Sequence, residues 1–127
     1  MKFIELSPKG NFESWEAKRL QEVRIGNFSN EIGQKLLFEN TEFRLWEVQL
    51  KHKERLTFRK AVSDFSITCT NDGCGVIHIG DGSILFSQFK KGDVRYVEVP
   101  INEPMILDFE NSGLEILKLI LTEIKRS

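Results

Sequence analysis

The chain has 127 residues, 40% of them hydrophobic, and its 18 basic and 19 acidic residues leave a formal net charge of −1. This length fits one domain with a buried core. The balanced charge argues against nucleic acid as the main partner, because phosphate binding needs a clustered positive surplus. No apolar run approaches the length of a membrane span, and the acidic Glu5 does not suit a signal peptide. We therefore expect a cytoplasmic protein with no membrane partner.

Residues 1–33 are predicted to form an N-terminal arm of the same domain. Residues 3–6 favour a short strand, which the turn formers of residues 7–11 end. Residues 14–23 contain helix formers and a candidate N-cap at Ser14. Their apolar positions make no clean helical stripe, so a short helix and an extended arm across the domain both remain open.

From residue 34 onward the pattern is typical of β-structure. Turn-forming pairs or clusters recur about every ten residues, at Asp72-Gly73, at residues 80–83 and at residues 90–93. Residues 58–70 are interpreted as one strand with a bend, and residues 114–124 as a strand with both faces buried. The other predicted strands are residues 35–38, 42–50, 76–79, 84–89, 94–99 and 105–109. This spacing predicts an all-β sandwich or barrel.

The two cysteines, Cys69 and Cys74, flank the turn at residues 70–73, which is predicted to be a hairpin. A pair spaced in this way, with no second Cys/His pair, is not a zinc pattern. In the reducing compartment that we expect, two free thiols are favoured over a disulfide.

The order of these elements resembles the small single-domain bacterial cupins over residues 34–124. Cupins carry two motifs, G-x5-H-x-H-x3,4-E-x6-G and G-x5-P-x-G-x2-H-x3-N. The H-x-H positions of the first motif fall on Arg59-Lys60-Ala61, its glutamate near Phe65 or Ser66, and its last glycine at Gly73 or Gly75. Gly92 opens the second motif, Pro100 lies close to its turn, and residues 107–111 align with H-x3-N, with Leu107 where the histidine belongs. The resemblance implies a jelly-roll β-barrel formed by residues 34–127.

The resemblance also implies that the metal site of the family has been lost. Three imidazoles and a carboxylate hold the cupin metal, whereas this chain has Arg59, Ala61, Phe65 and Leu107 at those positions. Arginine is a permanent cation and cannot ligate a metal, and the other three side chains have no donor atoms. We therefore expect no metal and no other cofactor.

Five residues are candidates for binding a ligand in the barrel: Arg59, His78, Tyr96, Trp46 and Asp64. If position 59 faces inward, the arginine either forms an ion pair with Glu47, Asp64, Glu98 or Glu110, or binds the carboxylate or phosphate of a small molecule. A packing role competes with ligand binding for His78, Tyr96 and Trp46.

Three functions remain open. The first is a metal-free cupin that binds a small anionic molecule or acts as a structural module without catalysis. The second is an enzyme, either a metal-free isomerase or epimerase with His78 as base and Tyr96 as acid, or one with a displaced metal site that uses His78 and His52. The third is a barrel filled by apolar side chains. A homodimer is expected under all three.

Overall fold

The computed structural model describes residues 1–126, and within them ten β-strands and one α-helix form the structure. The strands and the helix follow one another along the chain as β1 (Lys2–Ser7), α1 (Ala17–Ile25), β2 (Lys35–Glu39), β3 (Phe43–Leu50), β4 (Arg55–Ala61), β5 (Phe65–Cys69), β6 (Gly73–His78), β7 (Ile84–Phe89), β8 (Val94–Val97), β9 (Met105–Asn111) and β10 (Leu117–Ile124). The predicted all-β class is therefore confirmed. The last residue of the predicted barrel, Ser127, lies outside the described residues.

The strands form two antiparallel sheets of five strands each. The first sheet has the order β1-β7-β6-β9-β4, and the second has the order β2-β3-β10-β5-β8. The chain passes repeatedly from one sheet to the other, so strands that are neighbours in sequence often lie in different sheets. The two sheets face each other, and their inward side chains form the main core.

Side-chain alternation explains the core. On β10, Leu117, Leu119 and Leu121 are at most 1% exposed, and they lie opposite the buried residues Leu50, Val48 and Trp46 of β3. The outward residues of this strand are exposed at Lys118 and Ile124 and partly exposed at Ile120 and Thr122. The prediction that both faces of this strand are buried is therefore wrong, because only its inward face packs into the core.

Two predicted connections differ in the structure. Residues 58–70 do not form one bent strand, since β4 belongs to the first sheet and β5 to the second. The turn at Asp72-Gly73 is not a hairpin either, because β5 pairs with β8 and β10, whereas β6 pairs with β7 and β9. The predicted hairpin at residues 80–83 is confirmed, with β6 and β7 as its strands. The turn-forming residues indicated where the chain reverses its direction. They did not distinguish a hairpin within one sheet from a connection between the two sheets.

The N-terminal residues supply both a strand and a helix. β1 forms an edge of the first sheet by pairing with β7. Of the two alternatives for residues 14–23, the structure has the short helix. It begins at Ala17 after Glu16, so the candidate N-cap Ser14 is wrong, and its C-cap is Gly26, whose φ of 73° is in the left-handed region. No helix among residues 1–126 has the length and the apolar character that a membrane span requires.

A second apolar cluster lies on the outer face of the first sheet. Trp15 is 7% exposed, packs with Phe58 and Ile84, and donates its indole N–H to the carbonyl oxygen of Gly82 at 3.0 Å. Leu20 and Val23 of α1 pack on the same cluster. The helix and the segment before it therefore cover this face of the sheet.

Candidate functional site

Three of the four residues that the resemblance places at the cupin metal positions belong to the barrel core, and the fourth, Arg59, is partly buried. Arg59 of β4 lies directly opposite Leu107 of β9. Ala61, Phe65 and Leu107 are 1%, 1% and 5% exposed and belong to one apolar cluster. Ala61, Phe65 and Leu107 thus pack together between the two sheets, with Arg59 beside Leu107.

These residues do not fit a metal ion. Alanine, phenylalanine and leucine offer no donor atom, and a guanidinium repels a cation. Among residues 1–126, no group of three or more His, Cys, Asp or Glu side chains is arranged to hold a metal. The functions considered below for this barrel therefore involve no metal ion.

Arg59 makes its one side-chain hydrogen bond among the described residues with the loop that precedes β2. Its Nη1 donates to the carbonyl oxygen of Glu31 at 3.1 Å, and its buried Nε has no partner among residues 1–126. The backbone N–H of Lys60 donates to the carbonyl oxygen of Ser29, which ties this loop to β4. The ion pair that was one of the two alternatives for Arg59 is not among the salt bridges of the described residues.

A cavity of about 250 Å³ opens between the two sheets, on the side where β8 faces β1 and β7. Apolar side chains from both sheets form most of its wall, namely Phe65, Ile67, Ile77, Leu85, Met105 and Leu107. Phe3, Arg95, Tyr96 and Glu98 also line it, and the last three are exposed residues at its mouth. The cavity suits a small molecule with an apolar body.

Tyr96 and Asp64 lie together on the outer side of the second sheet. The Tyr96 hydroxyl donates to Oδ2 of Asp64 at 2.7 Å, and the backbone N–H of Val99 donates to Oδ1 at 2.7 Å. Arg126 pairs with the same carboxylate at 3.2 Å. The Val99 N–H, followed by the Tyr96 hydroxyl, lowers the pKa of Asp64. The hydrogen bond to Asp64 raises the pKa of Tyr96.

His78 lies on the outer face of the first sheet, beneath the N-terminal segment. It is 7% exposed, and its Nδ1 is 3.1 Å from Oδ1 of the fully buried Asp108. Arg55 donates to the same carboxylate from Nη2 at 2.9 Å, and Nη1 of Arg19 lies 3.1 Å from Nδ1 of His78. The Trp15 ring meets the imidazole edge-on at 5.1 Å between ring centres. His78 is thus enclosed by charged and aromatic partners and does not face the cavity.

Trp46 does face into the barrel, but it does not line the cavity. It is 6% exposed, and its Nε1 donates to Oε1 of Glu123 at 3.0 Å. Arg44 approaches the same oxygen at 3.5 Å. The indole N–H therefore supplies a hydrogen bond to the carboxylate of Glu123, a residue that is only 3% exposed.

The structure therefore brings together only two of the five candidate residues, Tyr96 and Asp64. His78 and Tyr96 lie on the outer faces of different sheets, so they cannot act as base and acid on one substrate. The hypothesis of a metal-free isomerase or epimerase with His78 as base and Tyr96 as acid is therefore wrong. His52, the other candidate ligand of a displaced metal, is exposed, and its Nδ1 contacts the carbonyl oxygen of Gly113 at 2.6 Å.

Sequence reasoning missed Arg95 and Phe3, which line the cavity. Arg95 lies opposite the buried Ile67, and Val97 lies opposite the buried Phe65, so both share the inward face of β8. Tyr96, between them, also borders the cavity, but its hydroxyl donates to Asp64 on the outer side. The alternation was visible in the sequence, but β8 is only four residues long and its direction depends on pairing with β5.

The cysteines lie in different sheets, Cys69 in β5 and Cys74 in β6, and both are free. Burial raises the pKa of the Cys69 thiol to about 12. A thiol with so high a pKa is a poor nucleophile and a poor metal ligand at neutral pH.

Solved structures of cupins share this fold. A cupin domain from Bordetella pertussis Tohama I is 15% identical, with a TM-score of 0.63 over 72% of this chain and 91% of that one. An RmlC-like cupin family protein with a double-stranded β-helix fold from Methanocaldococcus jannaschii is 16% identical, with a TM-score of 0.57 over 77% and 86% of the two chains. A cupin superfamily protein from Desulfitobacterium hafniense is 14% identical, with a TM-score of 0.55 over 83% and 87%.

No protein-family model and no curated protein matches the chain. The similarity to the solved structures nevertheless identifies the architecture, which is the jelly-roll barrel of the cupins. Sequence identities this low show that the fold is shared, but they do not show that any activity is shared.

Proposed function

We propose that this protein binds a small molecule in the cavity between its two sheets, without a metal and without catalysis. The observation that carries the proposal is the cavity itself, because its wall is apolar and both sheets contribute to it. Pockets of this kind hold ligands chiefly by burying apolar surface.

Two further observations support binding over the alternatives. A barrel that was completely filled would leave no space of about 250 Å³ between the sheets. An enzyme would need reactive groups that meet in one place, whereas His78 is enclosed by its partners away from the cavity, and the Tyr96 hydroxyl, in the other sheet, is bonded to Asp64. The cavity wall itself offers mostly apolar groups, with Arg95, Tyr96 and Glu98 at the mouth.

A matched pair of substitutions on β8 tests the proposal. Val97 lines the cavity and faces Phe65, whereas Val94 is 62% exposed and lies opposite Thr68. Val97→Phe is expected to fill part of the cavity, and Val94→Phe adds the same ring outside it. Calorimetry and ligand-observed NMR with octan-1-ol and octanoate then measure binding to each variant, and thermal unfolding shows that both variants fold.

We expect at least one probe to bind the unaltered protein, Val97→Phe to weaken it about tenfold or more, and Val94→Phe to leave it unchanged. The proposal fails if neither probe binds, or if the two variants bind equally well. The claim that the protein works without a metal fails if protein purified without chelator contains iron, manganese, nickel or zinc at about one ion per chain.

A further inference from the structure

Arg95 differs from most arginines of the described chain in having no carboxylate partner. Arg19, Arg44, Arg55 and Arg126 each form a salt bridge with an aspartate or a glutamate. Arg95 instead lies over an aromatic ring, with its guanidinium carbon 4.6 Å from the centre of the Phe3 ring. Its hydrogen-bond donors are therefore available to an external anion.

The strand register directs this side chain toward the cavity. Arg95 pairs with Ile67, which is 1% exposed and belongs to the barrel core, so both side chains lie on the inward face of the second sheet. Phe3 comes from the edge strand of the opposite sheet. Arg95 and Phe3 thus meet across the mouth, with the apolar cavity behind them.

We infer that the ligand is a monocarboxylate with an unbranched or flat apolar body, held with its carboxylate at Arg95 and its body in the cavity. This inference rests on the proposed function. A guanidinium binds a carboxylate through two parallel hydrogen bonds, and the ring of Phe3 supports the guanidinium from one side.

The rest of the cavity explains why a single carboxylate is expected. A second one at the far end of the ligand would lie among Ile77, Leu85 and Leu107, where no donor of these side chains could compensate its lost hydration. A second one at the mouth would find no further cation among the lining residues, since Arg95 already holds the first, and Glu98 there carries the same charge as the ligand.

Three probes of equal chain length separate these requirements: octanoate, octan-1-ol and octanedioate. We expect octanoate to bind the unaltered protein about tenfold more tightly than either of the others, since a charge-assisted hydrogen bond is lost with the alcohol. Added salt should weaken octanoate binding and leave octan-1-ol binding nearly unchanged.

Arg95→Gln is the test variant, with Arg24→Gln as its matched control, because Arg24 is exposed at the end of α1 and does not line the cavity. Arg95→Gln should lose the preference for octanoate over octan-1-ol, Arg95→Lys should keep part of it, and Arg24→Gln should keep all of it. Thermal unfolding establishes that each variant is folded.

The inference is overturned if octanoate and octan-1-ol bind equally, if octanedioate binds as well as octanoate, or if Arg95→Gln keeps the preference. In each of these cases a loss of binding in Val97→Phe still supports a ligand in the cavity. If no probe binds, the cavity proposal and the carboxylate inference fail together.

Discussion

His78 and Asp108 lie opposite each other on β6 and β9, and the Asp108 side chain accepts the backbone N–H of His78 at 2.7 Å. Their neighbours establish the pairing, since Val76 pairs with Glu110 and Ile79 forms a bridge with Leu107. A carboxylate thus takes the place of a backbone acceptor within the sheet. The same carboxylate accepts two bonds from Arg55, so a charge with no solvent exposure is fully enclosed by donors.

Replacement of Asp108 by alanine is expected to lower the free energy of unfolding by about 3–5 kcal/mol, because it leaves buried positive charge and a backbone N–H without an acceptor. Urea unfolding followed by circular dichroism measures the change. Glu103→Ala serves as the control, since this exposed side chain takes part in no hydrogen bond or ion pair of the described residues. A loss of less than about 1 kcal/mol for Asp108→Ala would show that the network contributes little.

The helix α1 is attached to the barrel largely through charged side chains. None of its residues is buried, yet Nη2 of Arg19 donates to Glu110 at 2.8 Å and Glu22 accepts Nη1 of Arg55 at 2.9 Å. Leu20 and Val23 add partly buried apolar contacts. Such a helix should detach from the sheet more readily than the strands separate from one another.

Arg19→Ala is therefore expected to speed amide hydrogen exchange in residues 17–25 and to lower the free energy of unfolding by about 1–3 kcal/mol. Lys18→Ala is the matched control, because Lys18 is the exposed neighbour in the same helix. Added salt should speed exchange in the unaltered protein, since the pairs are partly exposed to solvent. Equal exchange rates in the two variants would contradict this account of α1.

The strands were predictable because their signals are local. In β10 the buried leucines alternate with outward residues, and the glycine of a hairpin such as Gly82, with a φ of 103°, stands at the turn itself. Which sheet a strand joins depends on pairing with residues far along the chain. For this reason the break between β4 and β5 was not predictable from residues 58–70 alone.

The candidate site was harder to predict than the fold. Arg19 and Asp108 are far apart in sequence, and nothing local to either residue indicates that α1 brings them together over the first sheet. The direction of the Arg95 side chain could not be predicted without the register between β5 and β8.

The homodimer expected in the sequence analysis stays a prediction. Sedimentation of the purified chain would measure the oligomeric state.

Tyr96 is the one tyrosine of the sequence, so the ultraviolet absorbance of tyrosinate reports on this residue alone. Its hydroxyl donates to Asp64, and this bond raises the pKa of Tyr96 above its ordinary value of 10.0. The stability that the bond contributes is fully present below pH 10 and is lost as the pH rises through the raised pKa. The pKa of Asp64 is lowered, so its own contribution is present above about pH 3.8 and is lost as the pH falls further.

Asp64→Asn should therefore move the titration of Tyr96 back toward pH 10, because the amide still accepts a hydrogen bond but carries no charge to oppose tyrosinate. Asp72→Asn is the control, since that aspartate accepts a hydrogen bond from the Lys91 backbone instead. A midpoint at or below pH 10 in the unaltered protein would mean that Tyr96 and Asp64 are not bonded in solution. An unchanged midpoint in Asp64→Asn would show that the negative charge of Asp64 is not what raises the pKa of Tyr96.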